Sequence, residues 1–250
     1  MTQQPINQDT INAAVWSACD TFRGTVDPSI YKDYVLTMLF LKYISDVWQD
    51  HYEVYAREHG DHPELITELL KNERFVLPPS ANFYALHAAR HQPGNGERID
   101  KALHAIEETN LTKLRDVFQD ISFNSTKLGD EAQKNDILRH LLEDFAKPEL
   151  NLRPSRIGLL DVIGNAYEFL IKNFASFNGT EATEIYTPPE VSQLMALLVD
   201  PQEGDEICDP TCGSGSLLMK CSQLIRQRSG GKKYALYGQE AIGSTWALAK

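Results

Sequence analysis

Long hydrophobic runs and a secretory leader are both missing from this 250-residue sequence. Apolar stretches such as residues 38–41 are far too short to cross a bilayer. The first five residues, MTQQP, are polar, and no positively charged segment followed by an apolar one is found there. These absences predict a cytoplasmic protein without membrane association.

Cysteine is scarce, with four residues at irregular spacing. This usage is typical of reduced thiols and argues against a disulfide framework. Cys208, Cys212 and Cys221 form no Cys-x-x-Cys pair and have no histidine nearby, so their spacing does not predict a metal site. We expect these three cysteines to be small buried residues.

Positive charge is in deficit, because 24 lysines and arginines face 35 aspartates and glutamates and give a formal net charge of −11. Non-specific affinity for nucleic acid comes mainly from lysine and arginine side chains that displace counterions. We therefore do not expect the chain alone to grip a phosphate backbone. If it acts on DNA, a partner or another segment supplies the basic surface.

The first 150 residues carry mainly helical periodicity, with few alternating β-branched residues. Residues 31–48 are apolar nearly all round and predict a buried central helix. A turn-rich segment at 91–96 predicts an exposed loop, and a further helix is expected over Glu131–Phe145. Residues 1–150 are thus predicted to form an α-helical N-terminal domain.

Residues 151–250 are predicted to begin an α/β domain of Rossmann-like type. After a connector at 148–154, a helix is expected, and then a capping box at 187–190 with Thr187 as the N-cap. A strand at 206–209, a helix at 217–228 and a strand at 234–237 form a βαβ unit of a parallel sheet. The helix expected directly after the connector has an apolar face that consists of Leu159, Leu160, Ile163, Tyr167, Leu170, Ile171 and Phe174.

The segment DPTCGSG, residues 209–215, lies where a parallel sheet holds its ligands, between a strand end and a helix. A phosphate loop needs Gly-Lys-Ser/Thr at its end, but Ser216 and Leu217 follow here. A dinucleotide fingerprint needs a third glycine, and Leu218 occupies that position. The residues therefore favour S-adenosyl-L-methionine over a nucleoside triphosphate or NAD/FAD, with Asp209 facing the ligand's cationic amino end.

Glu240 follows the second strand in the motif YGQE. Its separation from the glycine segment is close to the roughly 20 residues at which an acidic side chain reaches ribose hydroxyls in such folds. A carboxylate can accept hydrogen bonds from both hydroxyls. The competing interpretation is a solvated charge at a strand end.

These motifs together resemble the modification subunit of type I restriction-modification systems. The resemblance rests on TEIYTPP at 183–189, DPTCGSG at 209–215, YGQE at 237–240 and TWALAK at 245–250, and it extends to FRG at 22–24. It implies an N6-adenine DNA methyltransferase subunit that uses S-adenosyl-L-methionine. The partners it implies are a DNA-specificity subunit, a second modification subunit, a restriction subunit and double-stranded DNA.

The resemblance also assigns cofactor-binding residues by position. One group flanks the methionine part of the cofactor, a second lies beneath it, and Glu240 binds the ribose. Ile185 departs from the aromatic residue that the family often has there. The first group is Glu184, Ile185, Tyr186, Thr187, Pro188 and Pro189, and the second is Asp209, Gly213, Ser214 and Gly215.

An Asn/Asp-Pro-Pro-Tyr/Phe motif, which holds the target adenine in such enzymes, is absent from the sequence. Lys250 also falls inside a predicted helix. The sequence is therefore expected to be an N-terminal piece of a longer protein or a truncated gene product, inactive in isolation and without assigned catalytic residues. The alternatives are a protein glutamine methyltransferase and a non-catalytic, truncated interaction module.

Overall fold

The computed structural model describes residues 7–24, 26–157, 162–177, 187–231 and 233–250. They fall in two compact units, Met1–Leu170 and Ile171–Lys250. Within the described residues, no helix is both long enough and apolar enough to span a membrane. The helices and strands, in chain order, are α1 (Gln8–Ala18), α2 (Pro28–His59), α3 (Pro63–Lys71), α4 (Phe83–Ala88), α5 (Asn95–Thr109), α6 (Leu111–Leu114), α7 (Glu131–Phe145), α8 (Pro154–Ile157), α9 (Val162–Phe177), α10 (Pro189–Val199), β1 (Glu206–Asp209), α11 (Ser216–Ser229), β2 (Ala235–Gly238) and α12 (Gly243–Ala249). Short 3-10 helices cover Cys19–Phe22, Thr126–Leu128 and Pro148–Leu150.

Helix α2 is the central element of the first unit. It begins at Pro28, where proline suits a first helical turn. Its N-terminal half is buried through residues that include Val35, Met38 and Ile44, which confirms the predicted buried helix. The helix continues beyond the predicted end at residue 48 to His59, and this second half is less buried.

Helix α7 occupies the predicted residues. Asp130 caps its N-terminus, because its side chain accepts from the Gln133 N–H while the Gln133 side chain accepts from the Asp130 N–H. This reciprocal capping box satisfies two main-chain donors at the helix start. Leu138, Leu141 and Phe145 then enter the core at 0% exposure.

The prediction of an exposed loop at 91–96 was wrong for its last two residues. Asn95 and Gly96 form the first turn of α5 and are buried. The Asn95 side chain donates to the carbonyl oxygens of Arg90 and Asn135. A Cβ on Gly96 would lie 2.5 Å from the Phe123 carbonyl oxygen, so the glycine allows close main-chain approach and does not mark a solvent loop.

Three carboxylates of α2 hold residues 152–155, the segment that leads into α8. Asp46, Asp50 and Glu53 are spaced i, i+4 and i+7 and therefore share one face of the helix. This row of carboxylates fixes the path of the chain by side-chain contacts. The contacts are Leu152 N–H to Asp46 at 2.6 Å, Ser155 N–H and hydroxyl to Asp50 at 2.9 and 2.6 Å, and Arg153 guanidinium to Glu53 at 3.0 Å.

Asp46 also belongs to a buried polar network. Its carboxylate, at 0% exposure, pairs with the Lys42 ammonium and accepts a 2.5 Å hydrogen bond from the Tyr84 hydroxyl. Burial lowers the pKa of Lys42, and the Asp46 carboxylate partly offsets that shift. Burial, together with Asp46, raises the pKa of Tyr84. The network is therefore a paired buried charge with further hydrogen bonds, as burial of ions requires.

The second unit contains the predicted βαβ arrangement. β1 and β2 are parallel, with Ile207 opposite Leu236 and Asp209 opposite Gly238, and α11 connects them. Helix α10 packs against α11. The core of this unit comprises Ala196, Cys221 and Leu224, with Ile207 and Leu217 packed against it.

The predicted capping box at the start of α10 is not formed. Pro188, and not Thr187, is the N-cap, and no side chain makes a capping hydrogen bond. A residue before proline is disfavoured in helical geometry. Pro188 precedes Pro189 and adopts φ −52°, ψ 140°, so the helix begins one residue later than the motif suggests.

The predictions for the apolar face of α9 and for the three cysteines differ in outcome. In α9, Leu170 and Phe174 are buried as predicted, while Leu159 and Leu160 lie outside the described residues. The expectation of three buried cysteines was wrong for Cys208, which is exposed on β1. Alternate residues of a strand point to opposite sides, so Ile207 faces the core while Cys208 faces away.

Candidate functional site

The predicted glycine segment lies at the carboxyl edge of the two parallel strands. β1 ends at Asp209 and β2 ends at Gly238, directly opposite each other. Residues 209–215, here called the glycine loop, connect β1 to the first turn of α11. This edge is the position at which open parallel sheets bind their ligands.

Two glycines give the loop its path. Gly213 has φ 54° and Gly215 has φ 80°, both in the left-handed region that favours glycine over residues with a Cβ. The Gly215 N–H donates to the Cys212 carbonyl at 2.8 Å, and the Gly215 carbonyl accepts from Met219 N–H at 2.9 Å. The loop therefore turns tightly and passes into α11 without a side-chain cap.

Asp209 stabilises the turn that follows its own strand. Its Oδ1 accepts a hydrogen bond from the Thr211 N–H at 3.0 Å. This is an Asx turn, in which a short carboxylate takes the place of a main-chain acceptor. Part of the carboxylate's hydrogen-bonding capacity is thus used within the loop.

Residues 239 and 240 are joined to the loop by successive hydrogen bonds. Gln239 N–H donates to the Asp209 carbonyl and Cys212 N–H donates to the Gln239 carbonyl, both at 2.9 Å. The Glu240 side chain then accepts from Gly213 N–H at 3.1 Å. The three bonds bring Asp209, Gly213 and Glu240 into one constellation.

Glu240 uses both carboxylate oxygens in this arrangement. Oε2 accepts from Gly213 N–H, and Oε1 accepts from Ile242 N–H at 2.8 Å. An ionised carboxylate has about four lone-pair positions. Each oxygen therefore keeps acceptor capacity for a further donor.

Cys212 is a part of the site that the sequence did not reveal. It is buried, and a Cβ added to Gly238 would lie only 2.7 Å from its sulfur. Burial, followed by the charges of Asp209 and Glu240, raises the pKa of the Cys212 thiol, which suits a packing role. Only the pairing of β1 with β2 brings the two residues together, so no local signal identifies the contact.

The remaining predicted site residues lie in the glycine loop, at the start of α10, or outside the described residues. Ser214 is half-buried in the loop, and Thr187 and Pro188 are exposed just before α10. Glu184, Ile185 and Tyr186 lie outside the described residues, and Pro189 is the first residue of α10. Across the described part of the chain, no group of three or more histidine, cysteine, aspartate or glutamate side chains is arranged to hold a metal ion.

Comparison with known families and structures follows the division of the chain. A family described as HsdM N-terminal domain matches residues 11–145, and one described as N-6 DNA Methylase matches residues 159–250. The chain thus has a helical N-terminal domain followed by the start of a DNA methyltransferase domain.

Individual relatives carry related descriptions. The chain is 30% identical over 247 residues to the type I restriction enzyme MjaVIII methylase subunit of Methanocaldococcus jannaschii, covering 99% of this chain and 40% of that protein. It is 27% identical over 281 residues to the MpnII methylase subunit of Mycoplasma pneumoniae, covering 96% and 49%. The chain spans about half the length of these relatives.

A solved structure is also similar. The type I restriction-modification system methyltransferase subunit from Streptococcus thermophilus matches with a TM-score of 0.76 and 26% sequence identity, over 97% of this chain and 55% of that one. The fold over this length agrees with the family matches. The chain therefore belongs to the methylase, or modification, subunit family of type I restriction-modification systems.

Proposed function

We propose that this chain binds S-adenosyl-L-methionine at the glycine loop and contributes to N6-adenine methylation of DNA. The observation that carries the proposal is the constellation of Asp209, the two left-handed glycines and Glu240 at the carboxyl edge of β1 and β2. It lies within the residues that match the N-6 DNA Methylase family.

The donor and acceptor groups of the site fit such a cofactor. Glu240 keeps acceptor capacity for two ribose hydroxyls. Gly213 and Gly215 present bare main chain, and the Asp209 carboxylate supplies negative charge near a cationic amino group. Ser214 belongs to the same loop, and residues 184–189 are proposed to flank the methionine part.

When bound, S-adenosyl-L-methionine supplies an activated methyl group on its sulfonium. The residues of this chain bind and orient the cofactor, and methyl transfer to the adenine amino group depends mainly on such positioning. The sequence contains no Asn/Asp-Pro-Pro-Tyr/Phe motif. We therefore propose that the isolated 250-residue chain binds the cofactor without methylating DNA.

The proposed working unit is a complex. A DNA-specificity subunit reads the target, a second modification subunit and a restriction subunit complete the assembly, and double-stranded DNA is the substrate. Residues 1–150 are proposed as the helical domain and residues 151–250 as part of the cofactor-binding domain. We place this assembly in the cytoplasm.

Cofactor binding can be measured directly on the chain by isothermal titration calorimetry with S-adenosyl-L-methionine. We expect Gly213→Val to weaken binding by at least about tenfold, because valine is strained at φ 54°. Gly204→Val is the matched control: Gly204 also has positive φ, at 101°, but lies outside the glycine loop. Equal binding by wild type and Gly213→Val would show that the site is elsewhere.

Methyl transfer distinguishes the proposed reaction from its alternative. A specificity subunit, in complex with a modification subunit that contains both this chain and an Asn/Asp-Pro-Pro-Tyr/Phe motif, is offered a DNA duplex and a glutamine-containing protein substrate side by side, with labelled cofactor. We expect label on adenine only. Label on the protein would favour a glutamine methyltransferase, and methyl transfer to DNA by the isolated chain would contradict its proposed inactivity.

A further inference from the structure

We infer that Glu240 is a positioning residue that orders the glycine loop before any cofactor binds. The consequence for cofactor affinity rests on the function proposed above. The inference itself concerns only contacts within the chain: one carboxylate holds Gly213 N–H with one oxygen and Ile242 N–H with the other.

The first argument is the sequence of bonds between the loop and the segment after β2. Gln239 and Asp209, then Cys212 and Gln239, are joined by main-chain hydrogen bonds of 2.9 Å. These bonds extend the pairing of the two strands beyond their ends. The next main-chain donor along the loop is Gly213 N–H, and its acceptor is the Glu240 side chain. The carboxylate therefore continues the pairing by one further step.

The second argument is the conformation of the residue that is held. Gly213 adopts φ 54°, and glycine loses more conformational freedom on ordering than other residues do. A hydrogen bond to an ionised acceptor is roughly twice as strong as a neutral one. A fixed carboxylate can thus select one of the many conformations open to this glycine.

The third argument is that the carboxylate is itself fixed from the opposite side. Ile242 N–H lies 2.8 Å from Oε1 and precedes helix α12. The Glu240 side chain therefore bridges the glycine loop and the turn that leads into α12. A carboxylate fixed in this way before a ligand arrives lowers the ordering cost of binding.

Amide hydrogen exchange of the full chain without cofactor, followed residue by residue by NMR, tests this inference. In Glu240→Gln only one side-chain atom accepts, so one of the two N–H groups loses its partner. We expect the longer bond to be lost, so that Gly213 exchange accelerates about five- to tenfold while Ile242 stays protected. Glu240→Ala should accelerate exchange at both amides.

Glu206→Gln is the matched control, because it makes the same chemical change at an exposed residue of β1. We expect it to leave Gly213 exchange unchanged. Exchange at amides elsewhere in the second unit should stay at the wild-type rate in Glu240→Gln, since a general loss of stability would accelerate exchange throughout that unit.

Titration of the same proteins with S-adenosyl-L-methionine separates the two proposals. Unchanged Gly213 exchange in Glu240→Ala overturns the positioning role, and lost cofactor affinity in that case identifies Glu240 as a ligand contact only. Accelerated Gly213 exchange supports the inference even if the wild type binds no cofactor, an outcome that would overturn the proposed function instead.

Discussion

At the scale of single residues, the contact between Cys212 and Gly238 shows how the site depends on a missing side chain. A Cβ on Gly238 would lie 2.7 Å from the Cys212 sulfur and 3.2 Å from its Cβ. Both distances are shorter than ordinary contact. Gly238 therefore permits β2 to lie against the start of the glycine loop.

We expect Gly238→Ala to lower the free energy of unfolding by about 1–3 kcal/mol, the usual cost of overpacking. Urea unfolding of the full chain measures it. Cys212→Ala removes the clashing sulfur, so the double variant should recover part of the loss, and the coupling between the two sites should be non-zero. Strictly additive effects would contradict the contact.

At the scale of elements, the carboxylate row on α2 links the central helix to residues 152–155. Its three members differ in burial: Asp46 is fully buried, whereas the Glu53 side chain is 46% exposed. Carboxylates on one helix face should therefore differ widely in their contribution to the free energy of unfolding.

We expect Asp46→Ala to lower the free energy of unfolding by about 3–5 kcal/mol, because it leaves the buried Lys42 ammonium without its partner. Glu53→Ala should cost no more than about 1 kcal/mol, since exposed ion pairs are weak. Denaturant unfolding followed by circular dichroism compares them. Similar losses in both variants would show that burial does not decide how much each carboxylate of the row contributes to the free energy of unfolding.

Helix α10 carries a second apolar side in addition to the one that packs on α11. Ser192 and Ala196 are buried at 0% exposure, whereas Leu194 and Leu198 are 56% and 76% exposed. A helix with apolar residues on both sides buries them all only when it packs against more than one neighbouring element. The contact with α11 therefore uses the small residues of α10 and leaves its large ones exposed.

At the scale of the whole molecule, the net charge of −11 bears on DNA binding. Affinity for a duplex depends on released counterions and hence on lysine and arginine. We expect the chain alone to show no binding to a short duplex at about 150 mM salt in fluorescence anisotropy, and we expect binding once a specificity subunit is added. Tight, salt-dependent binding by the chain alone would contradict the proposal that a partner subunit supplies the DNA-binding surface.

Part of the fold was accessible from the sequence because its signals are local. Helix α7 occupies the predicted residues, since its cap and apolar spacing lie within the same segment. The βαβ unit was predicted from a glycine loop and two short strands, and the strands are parallel. Local signals misled where neighbouring prolines shifted the start of α10, and where Asn95 and Gly96 resembled a loop but form a buried turn.

The candidate site was accessible only in outline. The sequence placed Asp209, Gly213, Gly215 and Glu240 near strand ends, and the structure brings them together. Nothing in the sequence indicated that the Glu240 side chain accepts a hydrogen bond from the glycine loop itself. Hydrogen bonds of that kind depend on the pairing and register of the two strands. The spacing of residues along the sequence does not reveal that register.

The sequence by itself determined helix α7, the buried half of α2, the parallel strand pair and the family, because apolar periodicity, glycine, proline and short motifs act within a few residues of one another. Only the tertiary structure decided which distant groups meet. Glu240 reaches Gly213 across 27 positions, and Asp50 reaches Ser155 across 105. Such contacts follow from the packing of whole elements, since hydrogen bonds require their partners within about 3 Å.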